Sequence, residues 1–113
     1  MKNPPDISIV VPAYNEANRL PRALERISDW VKRKHAEAGL EIEIVIVDDG
    51  STDETAQIVA RWQRELPDLR LIAHGLNRGK GYSVRHGVLE SRGAIVFFTD
   101  ADLAAPIEEA LVA

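Results

Sequence analysis

Glu41-Ile42-Glu43-Ile44-Val45-Ile46-Val47-Asp48-Asp49-Gly50-Ser51-Thr52-Asp53-Glu54 is the stretch that decides the fold. It enters as an alternation, with Glu41 and Glu43 between apolar neighbours, and then turns wholly apolar through Val47. The alternating start predicts a strand end near solvent, and the apolar body predicts a strand buried on both faces, as in a parallel sheet covered by helices. Ser51-Thr52-Asp53-Glu54 fits a capping box, so a helix is expected directly after the turn, running through Ile58, Val59 and Trp62 and stopping before Pro67.

The same unit recurs on either side. Upstream, Ile7 to Val11 is a short apolar run closed by Pro12, and from Leu20 the spacing becomes helical. Leu20, Leu24, Ile27, Trp30 and Val31 form a stripe, Pro21 suits a first turn, and Gly39 stands where a helix would end. Downstream, Leu69 to Ala73 reads as a third strand. A loop with Gly75, Gly79 and Gly81 leads to a helix around Tyr82 to Ser91 ended by Gly93, and Ala94 to Phe98 forms a fourth strand. Pro106-Ile107-Glu108-Glu109 has the composition of an acidic first helical turn. The order βαβαβαβ predicts an α/β fold, a Rossmann-like parallel sheet with helices on both faces and right-handed crossovers.

The chain has 113 residues, enough for one domain, and no cysteine, so disulfide and thiolate-metal chemistry are excluded. A net charge of −4 argues against nucleic acid as a partner. Basic residues nevertheless concentrate between Asn77 and Gly93, where Arg78, Lys80, Arg85 and Arg92 face Glu90 alone, a composition suited to a small anion. Neither a signal peptide nor a spanning run is present in these residues, which predicts a cytoplasmic protein.

In open α/β sheets ligands bind beyond the carboxyl ends of the strands. Each predicted strand ends in a polar cluster: Pro12-Ala13-Tyr14-Asn15-Glu16, Asp48-Asp49-Gly50-Ser51, His74 to Gly81, and Asp100-Ala101-Asp102. Asp100 and Asp102, spaced i, i+2 in an extended segment, present hard oxygens to one side, an arrangement suited to Mg²⁺ or Mn²⁺ beside a diphosphate. Two phosphate-binding motifs are excluded. The turn after the first strand has no glycine, so the dinucleotide fingerprint is missing where it must occur. Gly75 and Gly79-Lys80-Gly81 have neither the spacing nor the final Ser or Thr of a P-loop.

Taken together, Val10 to Glu16, Val47 to Asp53, Asn77-Arg78-Gly79-Lys80-Gly81 and Thr99 to Asp102 resemble the family 2 glycosyltransferases, which have the glycosyltransferase A fold. Asn77 to Gly87, Ser91-Arg92-Gly93 and Asp100 to Leu103 with Pro106 are most similar to the dolichyl-phosphate glucosyltransferase branch, which uses UDP-glucose. The mannosyltransferases, which use GDP-mannose, come next. The resemblance implies that Pro12, Ala13, Tyr14 and Glu16 line a nucleotide pocket, that Asp49 accepts a hydrogen bond from the base, and that Gly79, Lys80 and Arg85 lie near phosphate. It places Asp100 near the ribose and, with Asp102, at the metal, and counts Ala101 among the nucleotide-binding residues, with the two aspartates catalytic. One departure is Ala104, where the mannosyltransferases often carry a Gln ligand.

The implied partners are a nucleotide-diphosphate sugar and a lipid-phosphate acceptor at a membrane surface, to which the full-length protein would be peripheral. In the family the acceptor half follows the D-x-D, so residues 1–113 are expected to be the nucleotide-sugar-binding part of a longer domain, prone to self-association. Two alternatives stay open: a fragment that holds nucleotide and metal without transferring sugar, and a dinucleotide-binding oxidoreductase domain. Among single residues, Asp48, Ser51 and Asp53 are read as turn or capping residues, Arg92 as a helix C-terminal cation, and His74 and His86 as non-catalytic.

Overall fold

The computed structural model describes residues 3–100. Four strands form one parallel sheet: β1 (Ile7–Ala13), β2 (Ile42–Asp48), β3 (Leu69–Ala73) and β4 (Ile95–Phe98), in the order β3-β2-β1-β4. Three helices connect them, α1 (Leu20–Ala38), α2 (Thr55–Trp62) and α3 (Lys80–Glu90). The chain first steps outward from β1 to β2 to β3. It then returns across the sheet to place β4 on the other side of β1. Right-handed crossovers in opposite directions put their helices on opposite faces, so α1 and α2 share one face and α3 covers the other.

The alternation of each strand follows this division. Ile7, Ile9, Val11, Ala13, Ile42, Ile44 and Ile46 pack with Leu20, Leu24, Ile27 and Trp30 of α1 and Ile58 and Val59 of α2. Val10, Val45 and Val47 point to the α3 side. That side is thinner, because α3 meets it with small residues one turn apart, Ser83 and Gly87. A Cβ on Gly87 would lie 2.4 Å from Val10 Cγ1 and 3.0 Å from Val47 Cγ2, so any larger residue would push α3 off the sheet.

The predicted elements hold, with four corrections. Pro12 continues β1 rather than closing it, paired in register with Val47. Thr99 N–H donates to Val10 O, and by alternation Pro12 faces the same side, beyond the last residue of β4, where its missing N–H costs no ladder bond. Helix α3 begins at Lys80, two residues before Tyr82, and its end falls at Ser91. The expected capping box is absent: α2 starts at Thr55, and it is Asp53 that accepts the Thr55 N–H at 3.0 Å.

The fourth correction concerns Glu43. Alternation placed it near solvent, yet it is 0% exposed. Its carboxylate accepts Ser8 Oγ–H, the Arg92 N–H, and the guanidinium groups of Arg70 and Arg92. Arg92 is therefore a partner of β2 as well as a cation after a helix. Burial pushes the Glu43 carboxyl up, but the bonds from Ser8, the Arg92 N–H and Arg70 outweigh it and hold its pKa below the ordinary value. The α1 boundary agrees with expectation, with Gly39 left-handed at its end. On β4, Ile95 and Phe98 are exposed, as are Val88 and Leu89 on α3. The residues read as the start of a further helix from Pro106 lie outside the described residues.

Candidate nucleotide-sugar site

The step outward and the return diverge at β1, so the crevice between β1 and β4 is the topological switch point at which α/β sheets bind ligands. A cavity of about 390 Å³ opens there. It is lined by Pro12, Ala13, Tyr14, Glu16, Arg19, Asp49, Asn77, Gly79, Lys80, Ser83 and Asp100. Of the residues expected from sequence, Pro12, Ala13, Tyr14, Glu16, Asp49, Gly79, Lys80 and Asp100 meet in this one space. Ala101 and Asp102 lie outside the described residues.

Arg85 does not belong to the lining and stands exposed. The reason is the early start of α3. Five residues of helix turn Arg85 about 140° away from Lys80, whereas Ser83 follows Lys80 by one turn and stays on the cavity side. The basic residues of 78–92 are likewise not one patch, since α3 separates Lys80 at the cavity from Arg92 at Glu43. Asn77, Ser83 and Arg19 are cavity residues that sequence reading missed. Correct placement of the α3 start would have revealed Ser83.

The floor is organised by Asp49. Its Oδ1 accepts from His74 Nδ1 and the Arg78 N–H, and its Oδ2 from the Gly79 N–H, each at 2.8 Å. Burial pushes the carboxyl up, but the bonds from His74, Arg78 and Gly79 prevail and keep it ionised below the usual aspartate range. A carboxylate offers about four acceptor sites, so one on Oδ2 remains for a ligand. Asp49 thus has a second task unforeseen in the sequence, fixing the loop that leads into α3. Gly50 makes this possible. Its φ is +79°, and a Cβ there would lie 2.7 Å from the Asn77 backbone N.

Behind Asp49 runs a chain of imidazoles. His74 Nε2 meets His86 Nδ1 at 2.8 Å, the two rings nearly parallel at 7° with centres 5.0 Å apart, as in an end-to-end pair. Because the ionised Asp49 requires a proton on His74 Nδ1, a neutral His74 accepts at Nε2, and His86 donates from Nδ1. His86 Nε2 then faces Glu90 Oε1 at 3.9 Å. His74 bonds Asp49 directly and His86 bonds His74, and neither imidazole is part of the cavity lining.

The wall from β1 is held by the turn after β2. Asn15, at φ 51°, has its N–H bonded to Ser51 Oγ, and its Oδ1 accepts the Thr52 N–H. Thr55 Oγ1 and Asp53 Oδ2 take the N–H groups of Glu16 and Ala17. Asp48 Oδ1 closes its own turn onto Ser51 N–H. Asp48, Ser51 and Asp53 are thus scaffold, as expected, though Ser51 serves the first loop and no helix. At the rim, Tyr14 is half-exposed, Arg78 lies over the Tyr82 ring, and Glu16 pairs with Arg19 at 2.9 Å. Lys80 Nζ meets Asp100 Oδ1 at 2.5 Å.

The family model for Glycosyl transferase family 2 matches residues 8–111. This chain belongs to that family. The dolichyl-phosphate beta-glucosyltransferase of Dictyostelium discoideum is 41% identical over 107 residues, covering 89% of this chain and 33% of that protein. The dolichyl-phosphate beta-glucosyltransferase of Homo sapiens is 37% identical over 99 residues, covering 85% of this chain and 31% of that protein. The chain therefore spans about a third of the length of these curated relatives. Among solved structures, mannosyltransferase PcManGT from Pyrobaculum calidifontis, in complex with GDP-Man and Mn²⁺, superposes with a TM-score of 0.72 at 34% identity, over 89% of this chain and 28% of that one. S. aureus TarS 1-349 in complex with UDP-GlcNAc gives 0.72 at 30% identity, over 86% of this chain and 26% of that one. The family 2 chain described here has the Rossmann-like sheet of the glycosyltransferase A fold, as expected from its motifs.

Proposed function

We propose that this chain is the nucleotide-sugar-binding part of a glycosyltransferase that moves a hexose from a nucleotide diphosphate, UDP-glucose first and GDP-mannose second, to a polyprenyl or dolichyl phosphate. The observation that carries this reading is the convergence of the four strand-end clusters on one cavity at the switch point, with an acceptor at its floor and Lys80 and Asp100 at its side. The names of the curated relatives support the sugar and the acceptor. A dinucleotide-binding oxidoreductase has no such support in the turn after β1.

Asp49 keeps one lone pair for a ring N–H, which uracil and guanine both offer. The N-terminal end of α3 and Lys80 supply positive potential for a diphosphate. Asp100 fits a divalent ion by its chemistry: it is a hard, half-exposed carboxylate on the cavity, and it already accommodates the Lys80 cation. Asp100 and Asp102 are the residues that would hold Mg²⁺ or Mn²⁺, and such an ion supplies charge neutralisation on the departing diphosphate. Glu16, the other acidic residue of the cavity lining, is paired with Arg19 and makes a poor general base. A phosphate acceptor needs none, since its second pKa of about 6 leaves it mostly dianionic at neutral pH. Such an acceptor would bring the protein to the cytoplasmic surface of a membrane, although no described helix is long and apolar enough to cross one.

Titration with UDP-glucose, GDP-mannose and NAD, each with and without Mn²⁺, tests the reading. Metal-dependent binding of a nucleotide sugar is expected, and binding of NAD alone would contradict it. Glucose transfer to dolichyl phosphate by this chain would establish the activity. Binding without transfer would restrict the chain to donor recognition.

A further inference from the structure

Ser83 is fully buried, lines the cavity, and its Oγ has no hydrogen-bond partner. A serine within a helix ordinarily satisfies itself on the carbonyl four residues back. Ser91, beside the same helix, does this, donating to Gly87 O at 2.7 Å. For Ser83 the corresponding carbonyl, Gly79 O, takes the Ser83 N–H at 3.1 Å but no bond from the hydroxyl. Among the surrounding lining residues, Pro12 has no N–H to offer. A buried hydroxyl without a partner is costly, so an unused one on a cavity wall marks a ligand position.

Helix α3 runs antiparallel to the strands and packs Gly87 over Val10 and Val47. One turn nearer its N-terminus, Ser83 shares the cavity lining with Pro12 and Asp49, the next residues along on that face. The lining of one cavity therefore holds two unspent polar functions: one acceptor site on Asp49 Oδ2 and one O–H on Ser83.

We propose that Ser83 is a base-reading residue, its hydroxyl donating to the ring carbonyl next to the ring N–H that Asp49 accepts. The pair matches any base with an N–H beside a C=O, which uracil has at N3 and O4 and guanine at N1 and O6. In the same seat cytosine turns a ring lone pair toward Asp49 and an amino group toward Ser83, reversing both bonds. The inference rests on the cavity being a nucleotide site and assigns within it a contact that the motifs do not contain.

The test pairs Ser83→Ala with a change on the ligand. Affinities of the whole chain for UDP and 4-thio-UDP, and for GDP and 6-thio-GDP, are measured by calorimetry in Mn²⁺. Sulfur is a poor acceptor, so for the nucleotide that binds, Ser83→Ala should weaken the oxo form about five- to tenfold and the thio form less than twofold. An equal loss for both forms, or no loss for either, overturns the assignment. The variant should also melt no lower than the parent, because it removes a polar group that the free protein leaves unpaired. A marked drop in melting temperature would make Ser83 a structural residue and contradict the proposal. Binding of neither UDP nor GDP by the parent chain would defeat the nucleotide reading itself, and this inference with it.

Discussion

Glu43, near the start of β2, and Asp49, the residue just past its end, fall on the same face by alternation, six residues or about 20 Å apart, one at each end of the sheet. Both are buried, and both are held ionised by donors that outweigh the cost of burial. Each also straps one end of α3 to β2, Asp49 through the N–H groups of Arg78 and Gly79, Glu43 through that of Arg92. They differ in what is left over. Every acceptor site of Glu43 is taken by the chain, with Ser8, Arg70 and Arg92 around it. Asp49 keeps one site, and it opens on the cavity. A buried carboxylate that is saturated builds the fold, whereas one with a vacancy at the carboxyl end of a parallel sheet is available to a ligand.

The largest effect should come from the saturated one. Glu43→Ala leaves Arg70, Arg92 and the Ser8 hydroxyl facing a void at the base of the sheet. A loss of about 3–5 kcal/mol is expected in urea melts, a large fraction of a domain's stability. The molecules still folded should bind nucleotide with unchanged affinity. A Glu43→Ala chain that is fully stable but binds poorly would invert the comparison.

Asp49→Asn should do the reverse. It places an amide opposite the Arg78 and Gly79 N–H groups, costs about 1–2 kcal/mol in stability, and weakens nucleotide binding about a hundredfold. Calorimetry and a melt on the same sample separate the two. His74→Phe tests whether the imidazole chain matters: with one donor to Asp49 removed, affinity should fall about tenfold without the loss of a ligand contact. Unchanged affinity would show that the two loop N–H groups alone suffice to orient Asp49.

Acid gives the smallest and most symmetrical effect. Both carboxyls have folded pKa values below the ordinary values of 4.5 for Glu43 and 3.8 for Asp49. Their contribution is present in full above those values and is lost as pH falls through them toward the depressed folded ones. The melting temperature should therefore decline below about pH 4.5. In Glu43→Ala the decline should be shallower, and an unchanged slope would mean that Glu43 is not the group being titrated.

Much of this was legible in the sequence where one physical rule acted alone. Leu69–Ala73 is an uncontested apolar run, and its strand has the expected bounds. The positions of Asp49 and Asp100 beyond strand ends followed from topology. Where rules competed, the reading slipped. Glu43 obeys a solvent alternation that its distant partners, Ser8 and Arg92, override. Gly79-Lys80-Gly81 has low helix propensity, which hid the first turn of α3 and with it Ser83. The first-loop bonds of Ser51 and Asp53 link residues about 36 apart in sequence, a relation no local motif encodes.

The most direct test of the vacancy at Asp49 is an amide NMR titration with UDP-glucose and Mg²⁺. The N–H resonances of Arg78 and Gly79, bonded to Asp49, should shift with saturation, while that of Arg92, bonded to Glu43, should stay in place. Shifts at Arg92 with none at Arg78 and Gly79 would contradict the account.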